Sequence, residues 1–543
     1  MGETLKNWAK KYESGSTKEL PEWIPTDELP FWEQFLRIHP ELIEPTERKT
    51  SLAKKLANGR PLTPNILLEF GVDTIDKFLE YMGRAVGCVS KALNSIRSAS
   101  IRNRDLRFTS LFHHINEPLL TEAFNKLRKE AAPGCDRKTW DEYEKNLVQN
   151  IKNLKERIIS WSYYPKPVRR VYIPKASGGM RPLGICAIED KIVQNALKMI
   201  LEEIYEPKFV GVSYGFRPNT RAHDALDAVY VAITEKNVNY ILDADIVGCF
   251  DNINRQLLVE ILNDGIGDQR ILRLISRLIN AGILEEGELK VSEDGVIQGS
   301  TLSPLLANIF FDYVLDKFII WWRKTFAKGE VYYVRYADDY ILCFQYKEDA
   351  ETLLRVLSDR LLCAGLRLNA KKTRLIKFGK FARSINGSTN QADTETFDFL
   401  GFTHKCGITW KGRKFKLIRN CISDRINKKL VAIEDNLKEM RFGSIERMIL
   451  WINSVLKGYY AYFAVPDNTQ PLSSFRFALM KIVYKRLHRL SQRCKWTWER
   501  FNALLAPKIA FPRVKHPYPN QRFAERQEKL NELRDSVPKL RII

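Results

Sequence analysis

Residues 331–345 read Val331-Tyr332-Tyr333-Val334-Arg335-Tyr336-Ala337-Asp338-Asp339-Tyr340-Ile341-Leu342-Cys343-Phe344-Gln345. Two runs rich in Val, Ile, Tyr and Phe flank a short acidic interruption, the pattern of two strands joined by a tight turn. Val331–Tyr336 and Tyr340–Gln345 are therefore expected to form a hairpin with Asp338-Asp339 at its tip. A second acidic cluster, Asp243-Ala244-Asp245, closes the apolar run Tyr240-Ile241-Leu242. Carboxylates on strand tips that one sheet can bring together suit a two-metal site, because Mg²⁺ takes hard oxygen ligands. Taken alone, an Asp-Asp tip is more often plain turn chemistry, so the rest of the chain has to decide.

The 543 residues carry 87 Lys+Arg against 65 Asp+Glu, a formal net charge of +22. At roughly 150 residues per domain this length predicts about three or four domains. A hydrophobic fraction of 45% excludes a disordered or collagen-like chain. No run of about 18 apolar residues occurs, so no transmembrane helix is expected. Met1–Trp8 lacks the basic-then-apolar pattern of a signal peptide. The expected compartment is the one of synthesis: the cytoplasm, in association with the nucleoid, or an organelle. The closest cysteines, Cys406 and Cys421, are too far apart for a zinc knuckle, and His113-His114 reads as a helix-boundary pair.

The charge has an address. Residues 401–543 hold 30 basic and 11 acidic residues, whereas residues 1–100 hold 14 of each. Basic runs such as Lys411-Gly412-Arg413-Lys414-Phe415-Lys416 and Lys485-Arg486-Leu487-His488-Arg489 lie among Trp410, Tyr459, Tyr460, Tyr462, Phe463, Trp496 and Trp498. Cations that hold phosphates, beside aromatic faces that stack bases, point to nucleic acid.

Along the chain, Ser90–Asp105 is polar and reads as a linker after a mostly helical first segment. Val168–Pro174, the turn Ser177-Gly178-Gly179 and the following residues read as a hairpin. Lys191–Tyr205, Gln256–Leu262, Gln269–Ile279 and a long apolar Ser303–Lys324 read as helices, and Phe397–Thr403 as a strand. Beyond Ile422 everything reads as helix.

Longer strings carry a resemblance. Arg335-Tyr336-Ala337-Asp338-Asp339, Asp245-Ile246-Val247-Gly248-Cys249-Phe250-Asp251-Asn252-Ile253 and Gln298-Gly299-Ser300-Thr301-Leu302-Ser303-Pro304 resemble, in the family's order, the signatures of reverse transcriptases. Ile173-Pro174-Lys175, Arg181-Pro182-Leu183-Gly184-Ile185 and Ser213-Tyr214-Gly215-Phe216-Arg217-Pro218 look like the fingers blocks of the group II intron branch. Gly365-Leu366-Arg367-Leu368-Asn369-Ala370-Lys371-Lys372-Thr373 and Phe397-Asp398-Phe399-Leu400-Gly401-Phe402 resemble its next palm blocks, and Trp451–Phe463 its maturase segment.

The resemblance implies an α+β right-hand polymerase with an added helical N-terminal region. The implied division is an extension at 1–104, fingers at 105–239, a palm with an antiparallel sheet at 240–404, an α-helical thumb or maturase X domain at 405–505, and a basic tail at 506–543. It implies that Asp245, Asp338 and Asp339, with the Ile246 carbonyl, hold two Mg²⁺ ions, with Mn²⁺ as a substitute. Lys175 and Arg181 then clamp the triphosphate, and Gln298-Gly299 lets backbone approach the nucleotide. Phe250 lies against the sugar and favours deoxynucleotides, and Lys372 serves as general acid toward pyrophosphate. Asp243 falls outside the matching positions.

Ile297 stands where the family usually has Pro. The stretch after residue 500 lacks the paired cysteines of a zinc-supported nuclease, so second-strand cleavage is not expected, and Arg513, Lys515, Arg522 and Arg526 read as a reduced DNA-binding tail. Implied partners are an RNA template such as a group II intron RNA, a DNA primer or target, and dNTPs. A protein partner or self-association is expected through residues 1–104, and no membrane. The expected function is RNA-directed DNA polymerisation with maturase function in splicing and mobility. Alternatives are a free-standing relative in antiviral defence or DNA repair, and a non-catalytic RNA-binding splicing factor.

Overall fold

A computed structural model describes residues 89–174, 179–285, 288–290, 295–382, 395–409, 414–440, 444–490 and 496–535. The expectations for residues 1–88, for Lys175 and for Trp410-Lys411-Gly412-Arg413 lie outside them. The architecture is α+β, and no described helix is long and apolar enough to cross a membrane. The strands among the described residues run in order as β1 (Val168–Pro174), β2 (Met180–Ile185), β3 (Tyr240–Ala244), β4 (Ile283–Glu285), β5 (Glu288–Lys290), β6 (Val331–Tyr336), β7 (Asp339–Phe344), β8 (Arg374–Lys377), β9 (Phe397–Phe399), β10 (Phe402–Ile408) and β11 (Phe415–Cys421).

The chain forms two compact units, each discontinuous in sequence. The first takes the described residues up to Pro174 together with Met180–Phe209 and Phe250–Phe311. Its sheet has the order β2-β1-β4-β5, with β1 and β2 paired from Arg169↔Ile185 to Pro174↔Met180 as the hairpin reading expected. The helix Ile188–Tyr205 is its spine: Ile192, Val193, Ala196, Leu197 and Ile200 are all buried, at the spacing of one helical face. The expected linker is instead helical over residues 89–102. Val89, Ile96 and Ser100 make a buried stripe, and Ser100 Oγ donates to the Ile204 carbonyl at 2.7 Å. Few apolar residues are enough here because Val89 and Ile96 fall on the one narrow face that is buried.

The second unit takes Val210–Cys249 and the residues from Asp312 onward. Its central sheet has the order β6-β7-β3-β8, antiparallel throughout, and β6 and β7 form the hairpin expected for residues 331–345. The helix Ala222–Glu235 packs Leu226, Val229 and Ile233 into one core with Ile241, Ile341 and Cys343 of this sheet and Phe397, Phe402 and Leu417 of β9–β11. Phe397–Thr403 is not one strand. Leu400 (φ 48°) and Gly401 (φ 87°) make a two-residue turn between β9 and β10, with both positions in the left-handed region of a type I′ hairpin.

The long helix expected at Ser303–Lys324 is interrupted. It runs Ser303–Phe311, loosens into a π-turn at Asp312–Asp316, and resumes as Lys317–Thr325. Beyond Ile422 the structure is helical as expected, with Ser423–Glu439, Ile445–Phe463, Thr469–Leu490 and Trp498–Leu504 around a second apolar core.

For Tyr459, Tyr460, Phe463 and Trp498, that core corrects the reading as base platforms. Tyr460 is buried, Tyr459 stacks on Phe475 at 4.5 Å, Phe463 lies 5.3 Å from Phe402, and Trp498 stacks on Phe501 at 5.4 Å. They face inward because Ile452, Leu456, Tyr459, Tyr460 and Phe463 recur at helical spacing. Two of the four tail cations are corrected as well, while Arg513 and Lys515 stay exposed. Arg522 forms a two-pronged ion pair with the buried Asp227, Arg526 pairs with Asp224 at 2.8 Å, and together they hold the helix Pro519–Asp535 onto Ala222–Glu235.

Candidate active site

β3 sits between β7 and β8, and its register sets Ala244 opposite Tyr340. One step further along both strands, Asp245 and Asp339 emerge at the same end of the sheet. Asp339 feels the result: crowding by the surrounding chain, then the Asp338 and Asp245 carboxylates, push its pKa up to about 6. Asp339 is thus within electrostatic reach of both Asp338 and Asp245.

Asp245 is held in place. Its Oδ2 accepts from Asn369 Nδ2 at 3.0 Å and from Lys372 Nζ at 3.1 Å, and its backbone carbonyl accepts from the Asn369 N–H at 2.8 Å. The Val247 N–H donates to the Arg367 carbonyl, so Ile246 and Leu368 face each other as a non-hydrogen-bonded antiparallel pair. In that pairing the Ile246 carbonyl turns away from the Leu368 strand. Asp243 meets Arg374 at 3.2 Å, and burial raises its pKa. Asp243, Asp245, Asp339, Lys372 and Arg374 line a cleft of ≈ 490 Å³ with Asp398 and Arg425.

Three carboxylates and a carbonyl are the hard-oxygen donors that Mg²⁺ takes, so the residues fit that ion chemically. Among the described residues no three His, Cys, Asp or Glu side chains are drawn together at ligand spacing. The Lys372 ammonium and the Asn369 amide engage Asp245 instead.

The turn that carries the acids is braced from behind. Arg335 and Asp316, 1% and 0% exposed, form a bidentate pair, and Arg335 Nη1 donates to the Ala337 carbonyl at 3.0 Å. Ala337 has φ 59°, seldom adopted by a residue with a Cβ. Alongside, the Tyr214 N–H donates to the Arg335 carbonyl at 2.8 Å, and a Cβ on Gly215 would lie 2.3 Å from Ala337 N. Ser213–Pro218 therefore needs glycine at 215 because it lies directly against the acidic turn.

Of the remaining predicted residues, Arg181, Phe250, Gln298 and Gly299 belong to the first unit. Arg181 is exposed on β2 opposite Ile173. Gly299 has φ 107°, and a Cβ there would meet the Gly184 carbonyl at 2.7 Å, while the Gln298 carbonyl accepts from the Gly184 N–H at 2.7 Å. The glycine at 299 thus answers first to its own fold. Phe250 is half-buried, its carbonyl accepting from the Val296 N–H.

The sequence reading gave no role to Asn369, Asp316, Gly215, Asp398 or Arg425. Asn369 was findable: it stands three residues before Lys372, on the same turn. Asp316 was not, because nothing local marks an acid on a helical turn that pairs with a strand residue.

Residues 173–404 match the reverse transcriptase (RNA-dependent DNA polymerase) family. The chain is 31% identical over 326 residues to protein YkfC of Escherichia coli (strain K12), covering 53% of this chain and 84% of that protein. It is 36% identical over 238 residues to the group II intron-encoded protein LtrA of Lactococcus lactis subsp. cremoris, covering 44% of this chain and 39% of that protein. It is 30% identical over 322 residues to an uncharacterized 91 kDa protein in the cob intron of Schizosaccharomyces pombe, covering 58% of this chain and 39% of that one. The chain thus spans well under half the length of these two intron proteins. With its acidic hairpin and its ordered motifs inside the matched region, the chain belongs to the group II intron-type reverse transcriptases, a family of RNA-directed DNA polymerases.

Proposed function

We propose that the chain copies RNA into cDNA by two-metal nucleotidyl transfer. Asp245, Asp338, Asp339 and the Ile246 carbonyl would hold two Mg²⁺ ions, or Mn²⁺ in their place. Bound there, such ions supply charge to activate a primer hydroxyl and to stabilise the leaving phosphates. The chain's own residues do the rest. Arg181 and Lys175 clamp the triphosphate, Phe250 bears on the sugar and disfavours a 2′-hydroxyl, and Gln298-Gly299 offers backbone to the nucleotide. Lys372 delivers a proton to pyrophosphate. The right-hand layout of fingers (105–239), palm (240–404), thumb or X domain (405–505) and tail (506–543) belongs to the same proposal.

The observation that carries the reading is the register of β3 against β7, which delivers Asp245 and Asp339 to one end of one sheet. The test is primer extension on an RNA template with Mg²⁺ and dNTPs. Asp245→Ala and Asp338→Ala are each expected to abolish extension while RNA binding persists; full activity in either variant refutes the assignment.

The favoured setting is intron splicing and mobility, with the chain as maturase on a group II intron RNA and a DNA target, in the cytoplasm near the nucleoid or in an organelle. The likeness to intron-encoded proteins supports it. A free-standing role in antiviral defence or DNA repair is the second setting. The location of the reading frame inside or outside a folded intron separates the two. Deleting residues 1–88, which spares the helix over residues 89–102 packed in the first unit, and measuring solution mass tests self-association.

A further inference from the structure

We propose that Arg335 is a positioning residue: clamped by Asp316, its guanidinium holds the Ala337 carbonyl and so sets where Asp338 and Asp339 present their carboxylates. This rests on the reading of those aspartates as the metal-holding pair.

Arg335 uses three arms. Nε donates to Asp316 Oδ1 at 2.8 Å, Nη2 donates to Asp316 Oδ2 at 2.5 Å, and Nη1 donates to the Ala337 carbonyl at 3.0 Å. The fork is rigid and planar, so the Asp316 pair fixes the direction of the third arm. Asp316 is itself fixed. It ends the π-turn Asp312–Asp316, and Tyr333 Oη donates to its Oδ1 at 2.9 Å. A π-turn moves a side chain off ordinary helical register, and such turns recur at functional sites.

Ala337 at φ 59° is a conformation that persists only where surroundings impose it. Arg335 imposes it from inside. On the other side, the Arg335 N–H donates to the Val212 carbonyl at 2.9 Å and Gly215 lies against Ala337. A buried ion pair is seldom more stabilising than apolar residues of the same volume, so stability alone is a poor reason for one behind this turn.

The experiment uses the full chain, Arg335→Lys, and the double variant Arg335→Met with Asp316→Asn, which removes both charges together. Each is measured for thermal unfolding, Mn²⁺ binding by water-proton relaxation, and single-nucleotide incorporation. The expected result is melting within about 3 °C of wild type, roughly the effect of 1 kcal/mol in a unit of this size. Mn²⁺ affinity falls about tenfold and kcat about 100-fold, the order expected for a 1 Å misplacement, with KM for dNTP little changed.

Either variant that folds and keeps Mn²⁺ affinity and kcat within about threefold overturns the proposal, that span being the ordinary context scatter of a single interaction. So does failure of both to fold, which makes the pair purely structural. A wild-type chain that binds Mn²⁺ but incorporates no nucleotide refutes the polymerase reading instead, and the Mn²⁺ comparison alone then decides the role of Arg335.

Discussion

Lys372 Nζ lies 3.1 Å from Asp245 Oδ2, with the lysine side chain 65% exposed. An exposed pair of this kind contributes at most about 1 kcal/mol, so it does not hold the fold. Its charge does compete with a cation for the same oxygen. Lys372→Ala is expected to leave thermal stability unchanged, to lower the Mg²⁺ concentration for half-maximal extension a few-fold, and to cut kcat about 10²–10⁴-fold as loss of a proton donor does. A Mg²⁺ titration of primer extension reads both effects; unchanged kcat removes Lys372 from the chemistry.

Gly215 tests the brace from the outer side. A methyl group there would meet Ala337 N at 2.3 Å, backbone against which nothing can swing aside. Gly215→Ala is expected to displace the acidic turn and lower kcat about 100-fold or more, with binding of the RNA–DNA duplex unaltered. Single-turnover incorporation beside a filter-binding assay separates the two quantities.

Arg522 distinguishes a structural tail from a nucleic-acid arm. Asp227 is buried between Arg522 and Arg419, so Arg522→Ala leaves a buried carboxylate with half its partners. The expected loss is roughly 3–5 kcal/mol in denaturant unfolding, the range for breaking a buried pair. The dependence of nucleic-acid affinity on salt stays as in wild type; a shallower slope would return Arg522 to phosphate contact.

Acid should loosen the second unit. His223 is buried against the Tyr462 carbonyl, near His516, Arg522 and Arg419, and burial pushes its pKa down to about 4. His404 is fully buried against Phe397, and burial and then Arg419 push its pKa down to about 3. Both lie below the unfolded value of 6.5. Between the folded and unfolded values the unfolded chain binds the extra proton, so this stability is complete above about pH 6.5 and declines as pH falls toward 4. A loss on the order of 1–2 kcal/mol per histidine by pH 5 is expected, and His404→Phe should flatten the profile. Urea midpoints between pH 5 and 8 check it; no slope there refutes the assignment.

What was legible in the sequence was whatever a local pattern encodes. Alternating β-formers around Ala337-Asp338-Asp339 specify a hairpin, and Asp245 at the close of an apolar run specifies a second tip. Ordered motifs over the matched region disclose the family. Reading failed where a residue's use depends on what lies opposite it. Tyr459 and Phe463 look like base platforms until the helices of the last core close over them, and Arg522 looks like a phosphate contact until Asp227 is found beneath it. Leu400-Gly401 hid a hairpin because Leu rarely adopts positive φ, and β-pairing on both sides imposes it.

The sequence alone therefore determined which acids are present and on which strand ends they lie. The tertiary structure alone decided that Asp245 and Asp339 share one end of one sheet, and that Asp316 reaches Arg335 through a π-turn. Patterns along a chain record the faces that side chains take. Pairing register and buried partners arise only when distant segments exclude water from one another.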